Sequence, residues 1–171
     1  MLDKKMIYYI LALPYFLYGA VPIILDEPHI LSYVKKQLPH EGILRQTSEG
    51  FLYIELPKEY IFNVLPLIAE SRLCPPPYFE EGKVGAHITV ATAEEMAALK
   101  KRSIPCLGQK IPFNVSDFAQ VIFDKESVLG QGSYMLIVDS PKIQEIRKKL
   151  GLPPTPDIKG FVYHITIGVI P

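Results

Sequence analysis

The chain is poor in the residues that build disulfide frameworks and metal sites. It has two cysteines, Cys74 and Cys106, and four histidines among 171 residues. One disulfide could join the cysteines in an exported protein, and two free thiols are the alternative. Neither cysteine lies within a few residues of His87 or His164, and the sequence lacks His-x-x-x-His spacing and clustered carboxylates. We therefore expect no metal site and no other cofactor.

The chain also has no net charge, which limits the ligands that suit it. Lysine plus arginine and aspartate plus glutamate both number 18, so the formal net charge is +0. Proteins that bind long nucleic acids carry an extensive basic surface. The short basic cluster at residues 100–102 is typical of an exposed helix end. We therefore expect no long nucleic acid; a small ligand, or one end of a short oligonucleotide, suits a chain without net charge better.

The triplet His-Ile-Thr occurs twice, at residues 87–89 and 164–166, each time inside a short apolar run. Four histidines and five threonines would rarely produce this pattern twice by chance. A lone histidine on a strand is usually structural or merely exposed. Two copies suit phosphodiester chemistry without a metal, because one imidazole can remove a proton while the other supplies one. Two hydroxyls can hold the phosphoryl oxygens between them.

Strand geometry places the histidine and the threonine of each triplet on one face. Residues two apart in a strand point the same way, so His87 lies beside Thr89 and His164 beside Thr166. The opposite face is apolar in both copies and carries Val84, Ala86, Ile88, Val90, Phe161, Tyr163, Ile165, Ile167 and Val169. The neighbours on the histidine face are mostly small, namely Gly85, Ala91 and Gly168, with Val162 as the exception. Small neighbours should leave the imidazoles accessible, as a groove floor requires.

Each triplet also ends a similar stretch of chain. An apolar strand is followed by Pro-Lys, a helix, a proline-rich turn and then the His-Ile-Thr strand. Proline suits the first helical turn, and Ser140 is a good N-cap before Pro141. Between the two units we expect a helix from Ala93 to Lys101 and two short strands within residues 110–124. The pattern predicts a duplicated strand–helix–strand unit, whose two halves would place the His-Ile-Thr strands on facing lobes and so in one cleft.

Both triplets and the duplicated layout resemble the two-histidine (2H) phosphoesterase superfamily, which includes the 2′-5′ RNA ligase-like proteins and the RNA cyclic phosphodiesterases. The resemblance covers roughly residues 50 to 171. It implies an α+β fold of two lobes, with two sheets facing a central groove. The implied activity is that of a phosphoric diester hydrolase that cleaves cyclic or 2′-5′ phosphodiester bonds of small nucleotides or short oligonucleotides without a metal. The resemblance also implies that His87 and His164 are the acid–base pair, and that Thr89 and Thr166 contact the phosphate.

One departure from that family supports a second interpretation. Some members carry a basic residue just after the second motif, whereas this chain has Ile167, Gly168 and Val169. The phosphate charge would then be met by Lys83, by Lys159 or by backbone N–H groups. The alternative is a non-catalytic module on the same fold that binds a nucleotide or another phosphate ligand.

The first 49 residues precede the region of resemblance. Lys4 and Lys5 are followed by an uncharged run at residues 6–25, a layout typical of a signal peptide or membrane anchor. We therefore expect export or membrane attachment through residues 1–25, with membrane or export machinery as partner. A buried element of a cytoplasmic protein is the alternative. Residues 26–49 are predicted to connect this segment to the phosphoesterase-like domain at 50–171, with one short helix from His29 to Gln37.

Overall fold

Eight strands and four α-helices make up the part of the chain that the computed structural model describes, residues 22–80, 82–99, 103–123, 130–155 and 163–171. The strands are β1 (Ile23–Leu25), β2 (Glu41–Gln46), β3 (Leu52–Glu55), β4 (His87–Ala91), β5 (Lys110–Pro112), β6 (Asn114–Ile122), β7 (Gly132–Asp139) and β8 (Tyr163–Ile170). The helices are α1 (Pro28–Gln37), α2 (Glu59–Phe62), α3 (Ala93–Ala98) and α4 (Pro141–Leu150). Two single 3₁₀ turns, Leu65–Leu67 and Pro77–Phe79, lie between α2 and β4.

The strands form two antiparallel sheets. The order is β4-β3-β2-β5 in one, which we call the first sheet, and β8-β7-β6-β1 in the other, the second sheet. The predicted α+β class is confirmed. Strands β4 and β8, which carry the two His-Ile-Thr triplets, lie against each other. The topology therefore brings together two segments that are 77 residues apart (164 − 87).

The two sheets have the same number of strands in corresponding places, but their outer edge strands are exchanged between the two halves of the chain. Each sheet has a His-Ile-Thr strand at one edge and three more strands beside it. The short strand β1 precedes the first-sheet strands in sequence but pairs with β6 of the second sheet. Strand β5 precedes β6 yet pairs with β2 of the first sheet. Each half of the chain thus completes the other half's sheet.

One apolar core joins both sheets to the helices. Helix α1 contributes Ile30 and Val34, and α4 contributes Ile143 and Ile146, all at most 1% exposed. They pack with the face of each sheet that lies opposite the histidines, including Ile88 and Ile165 at 0% exposure. For the described residues the predicted apolar face is therefore the core face, and burial of this kind is the main favourable term in folding. Phe161 and Val162 lie outside the described residues.

Several local predictions are confirmed. Helix α1 begins one residue before the predicted His29, with Pro28 in its first turn. The Ser140 hydroxyl accepts a hydrogen bond from the Ile143 N–H and caps α4. The stretch 110–124 forms two strands, β5 and β6, which separate at Phe113 and enter different sheets.

Other elements are shorter than predicted. The helix of the first unit, α2, has only four residues before the chain turns into 3₁₀ geometry at Leu65–Leu67. Pro66 lacks the N–H that would continue the helical ladder. Helix α3 begins at Ala93 as predicted, under a capping box of Thr92 and Glu95, but ends at Ala98. The predicted helix end at Lys101 lies outside the described residues.

The segments before residue 50 contribute to the fold more than predicted. The expected connecting segment 26–49 contains α1 and also β2, an interior strand of the first sheet on which Leu44 is fully buried. Residues 23–25 of the expected anchor segment form β1. The sequence offered no periodicity that marks these short strands, because sheet pairing decides them. The described residues include no helix long and apolar enough to cross a membrane, and residues 1–21 lie outside them.

Gly168 also differs from what the sequence predicts. The sequence suggested a small, accessible neighbour of the second triplet, but Gly168 is buried beneath Leu65 and Leu73. A Cβ atom at this position would lie 2.7 Å from Leu65 Cδ1 and 2.7 Å from Leu73 Cγ. Here glycine allows the segment before β4 to pack closely on β8, where Cys74 exchanges two backbone hydrogen bonds with Val169.

We expect Gly168→Ala to lower the free energy of unfolding by roughly 1–3 kcal/mol, because the added methyl group overpacks this contact. Urea denaturation measures the change. The double variant Gly168→Ala/Leu73→Ala should recover part of the loss relative to the sum of the single variants. Full additivity would contradict the packing explanation.

Candidate functional site

The four predicted site residues lie on the two adjoining strands. His87 and Thr89 are on β4, and His164 and Thr166 are on β8. Both pairs point away from the shared core, and Thr166 is only 6% exposed. His164 is close enough to His87 to lower its pKa. The arrangement places two imidazoles and two hydroxyls where the sheets meet.

Both His-Ile-Thr strands contain a bulge at the same position relative to the triplet. On β4, Thr89 pairs with Tyr53 while Ala91 pairs with Leu52, so Val90 is the extra residue. On β8, Thr166 pairs with Met135 while Gly168 pairs with Tyr134, so Ile167 is the extra residue. Bulges bend a strand and redirect its side chains. The duplicated motif thus includes a duplicated backbone irregularity, directly after each threonine.

Arg147 of α4 stabilises the first bulge. Its Nη1 donates to the Val90 carbonyl oxygen at 2.7 Å, and its Nε donates to the Pro153 carbonyl oxygen at 2.8 Å. Its Nη2 donates to Glu95 at 2.8 Å, and the arginine side chain is 1% exposed. Bulged residues lose ladder partners, and a buried carbonyl without a partner is costly. Arg147, on a helix of the second unit, therefore supplies the hydrogen bond that the Val90 carbonyl at the bulge of the first unit needs.

The imidazole of His87 is surrounded by aromatic rings. The ring centroids of Tyr78, Phe51 and Tyr53 lie 4.8, 5.6 and 6.0 Å from that of His87, all with edge geometry. Its Nδ1 lies 2.8 Å from the Gly85 carbonyl oxygen. Since a carbonyl only accepts, Nδ1 carries the proton and donates it. In the neutral ring, Nε2 is then the nitrogen with a free lone pair.

This environment lowers the pKa of His87 to about 4. Burial is the main cause, because it penalises the charged imidazolium. The nearby His164 lowers the pKa further, while the hydrogen bond to Gly85 opposes the shift. His87 is consequently neutral at pH 7, the state in which an imidazole can accept a proton.

Lys83, one of the cations suggested by the sequence, already has partners of its own. Lys83 forms an ion pair with Glu80 at 2.6 Å and donates to the Pro77 carbonyl oxygen at 3.2 Å. Lys159 lies outside the described residues. The described residue just after the Thr166 bulge is Gly168, and it is covered by leucines. The way in which phosphate charge is met therefore remains a prediction.

Sequence reasoning missed the residues of β3 and β2 that share the His87 face. Tyr53 and Glu55 pair directly with Thr89 and His87, and Arg45 pairs with Tyr53 on the next strand. The alternation of Phe51, Tyr53 and Glu55 showed that they share a face. Which face, and which neighbours, depended on a pairing register that is not encoded locally.

The two thiols are free. Cys74 is exposed and Cys106 is partly buried, and no disulfide joins them. Among the described residues, no group of three or more histidine, cysteine, aspartate or glutamate side chains could hold a metal ion.

A comparison with protein families identifies residues 52–171 as a Swiss Army Knife, 2H phosphoesterase domain. The match covers more than half of the chain, and the protein therefore belongs to the 2H phosphoesterases. No curated protein and no solved structure matches the chain. Membership of this family supports a phosphoesterase activity but does not specify the substrate.

We expect Arg147→Met to lower the free energy of unfolding by roughly 2–3 kcal/mol. Removing one partner of a fully buried ion pair typically costs about 3–5 kcal/mol, and here water can partly solvate Glu95, whose side chain is 30% exposed. Urea denaturation measures the loss. Lys148→Met, an exposed substitution on the same helix, should change stability by less than about 0.5 kcal/mol. Equal effects would contradict the assigned role of Arg147.

We expect Phe51→Ala to raise the pKa of His87 by about one unit, because water then reaches the ring and the charged form is less penalised. Nuclear magnetic resonance titration of the His87 ring protons measures the shift. Phe62→Ala is the matched control, since Phe62 contacts Phe79 rather than His87. An unchanged titration in Phe51→Ala would show that the aromatic rings do not set this pKa.

Proposed function

We propose that the protein is a metal-independent phosphodiesterase that hydrolyses cyclic or 2′-5′ phosphodiester bonds of nucleotides or short oligonucleotides. The observation that carries the proposal is the state of His87, a neutral imidazole with Nδ1 committed to the Gly85 carbonyl, close to His164. A general base needs an accessible lone pair at working pH, and a second imidazole nearby can supply the acid.

The proposed reaction assigns a different role to each histidine. His87 Nε2 removes a proton from a water molecule as the oxygen of that water attacks phosphorus. The bond from phosphorus to the departing ribose oxygen breaks, and protonated His164 gives that oxygen its proton. The Thr89 and Thr166 hydroxyls donate hydrogen bonds to the phosphoryl oxygens. His87 ends protonated and His164 neutral, and exchange with solvent restores the starting state.

We expect His87→Ala and His164→Ala each to lower kcat by at least about 10²-fold, since one acid or base contributes roughly 10² to 10⁴ in rate. The double variant should be little worse than either single variant, because the pair acts as a unit. Hydrolysis of 2′,3′-cyclic nucleotides and 2′-5′ dinucleotides, assayed in EDTA, measures the effects. Activity lost in EDTA and restored by a divalent ion would contradict the proposal.

The pH dependence follows from the lowered pKa of His87. Below about pH 4 the base is protonated and kcat/KM should fall. At higher pH the profile should fall again, because the reaction needs a protonated acid as well as a neutral base. An acid limb near the ordinary histidine pKa of about 6.5 would contradict the assignment of His87 as the base.

A non-catalytic nucleotide- or phosphate-binding module is the second candidate. The packing around Gly168, just after the second bulge, favours this candidate. Two leucine side chains fill the space beside Gly168, so a basic side chain that could hold phosphate has no room at this position. Binding of nucleotides without turnover, in the same assays, would support this candidate over hydrolysis.

A further inference from the structure

The His87 face of the first sheet continues beyond the catalytic residues. We propose that it holds a second anion site, formed by Arg45 and Lys110, that takes a phosphate adjacent to the scissile one. The inference rests on the proposed function and narrows its substrate class to nucleotides with at least two phosphates, such as 5′-phosphorylated short oligonucleotides.

The strand register gives the layout of this face. Directly paired residues of neighbouring strands share a face. One row therefore runs from His87 through Glu55 and Ile43 to Lys110. The parallel row runs from Thr89 through Tyr53 to Arg45. With strands about 4.8 Å apart, the Arg45 backbone lies roughly 10 Å from that of Thr89, a gap that an extended arginine side chain and one nucleotide can span.

The first row opens into a surface depression of about 400 Å³. Its lining includes Glu41, Ile43, Glu55 and Lys110, together with Pro39 and Pro57. Small-molecule sites typically have volumes of about 300–1,000 Å³. The depression is therefore large enough for part of a nucleotide, and its lining includes Glu55, the residue paired with His87.

Both cations of this face are held in exchangeable ion pairs. Arg45 Nε donates to Glu55 at 2.9 Å, with side chains 49% and 46% exposed, and Lys110 donates to Glu41. Exposed pairs of this kind contribute little stability. A phosphate group, which accepts two parallel hydrogen bonds from a guanidinium, can replace the carboxylate of Glu55.

The residue between the catalytic threonine and Arg45 also fits such a ligand. Tyr53 is partly buried, and nearby charges of both Glu55 and Arg45 act on its hydroxyl. An aromatic ring in this place offers a stacking surface to a base or sugar. The Thr89 hydroxyl, the Tyr53 ring and the Arg45 guanidinium thus lie in one row. They match the order of a scissile phosphate, a nucleoside and a second phosphate in the substrate.

The test uses two substrate pairs that differ only in a second phosphate. They are adenosine 2′,3′-cyclic phosphate and 2′-5′-linked diadenosine, each with and without a 5′-phosphate. We expect the 5′-phosphate to raise kcat/KM roughly tenfold, as one charge-assisted contact allows. Arg45→Met should remove this gain while leaving the substrates without a 5′-phosphate unchanged. Glu55→Gln should enlarge the gain because it releases Arg45, and Lys148→Met is the matched control.

The outcomes separate this site from the proposed function. Turnover with no preference for the second phosphate, or an equal loss on both substrates in Arg45→Met, would overturn the anion site alone. If no substrate is hydrolysed, the proposed function fails. Calorimetric measurement of nucleotide binding then tests whether the second anion site exists. Adenosine 3′,5′-bisphosphate should then bind roughly tenfold more tightly than adenosine 5′-monophosphate, in an Arg45-dependent manner. Equal affinities would overturn the site.

Discussion

The hydrogen bonds of the buried Arg147 guanidinium are the interaction on which the geometry of the first His-Ile-Thr strand, β4, depends. Arg147 belongs to α4 of the second unit, yet its donors reach the Val90 bulge carbonyl and Glu95 of the first unit. Glu95 in turn accepts from the Thr92 N–H in the capping box of α3. A buried charge is tolerated only when it is fully paired. The position of Thr89 is therefore coupled to packing that the second half of the chain supplies.

The exchanged edge strands strengthen this dependence. Because β1 completes the second sheet and β5 completes the first, neither sheet is built from one half of the chain alone. The segment around Cys74 adds two further backbone hydrogen bonds to β8. These links hold β4 and β8 side by side, which is the arrangement that two cooperating imidazoles require.

The two triplets are identical in sequence but not in surroundings. His87 has aromatic neighbours and pairs with Glu55. His164 pairs instead with Ile137, which belongs to a small apolar cluster with Ala119, Val121, Phe123 and Met135. Duplicated sequence thus produces unequal surroundings. That difference, rather than the motif itself, supports the proposal that His87 is the base and His164 the acid.

The sequence by itself determined the features that rest on local rules. The apolar face of each His-Ile-Thr strand follows from alternation, and the cap at Ser140 and the start of α4 at Pro141 follow from capping chemistry and proline geometry. The α+β class was implied by the resemblance that the repeated triplet carries. Tertiary structure alone decided which strands pair, where the bulges fall, that Gly168 is covered, and that Tyr53 and Arg45 extend the His87 face. Alternation shows which residues share a face but not what lies beside them, because neighbours across a sheet come from distant parts of the chain.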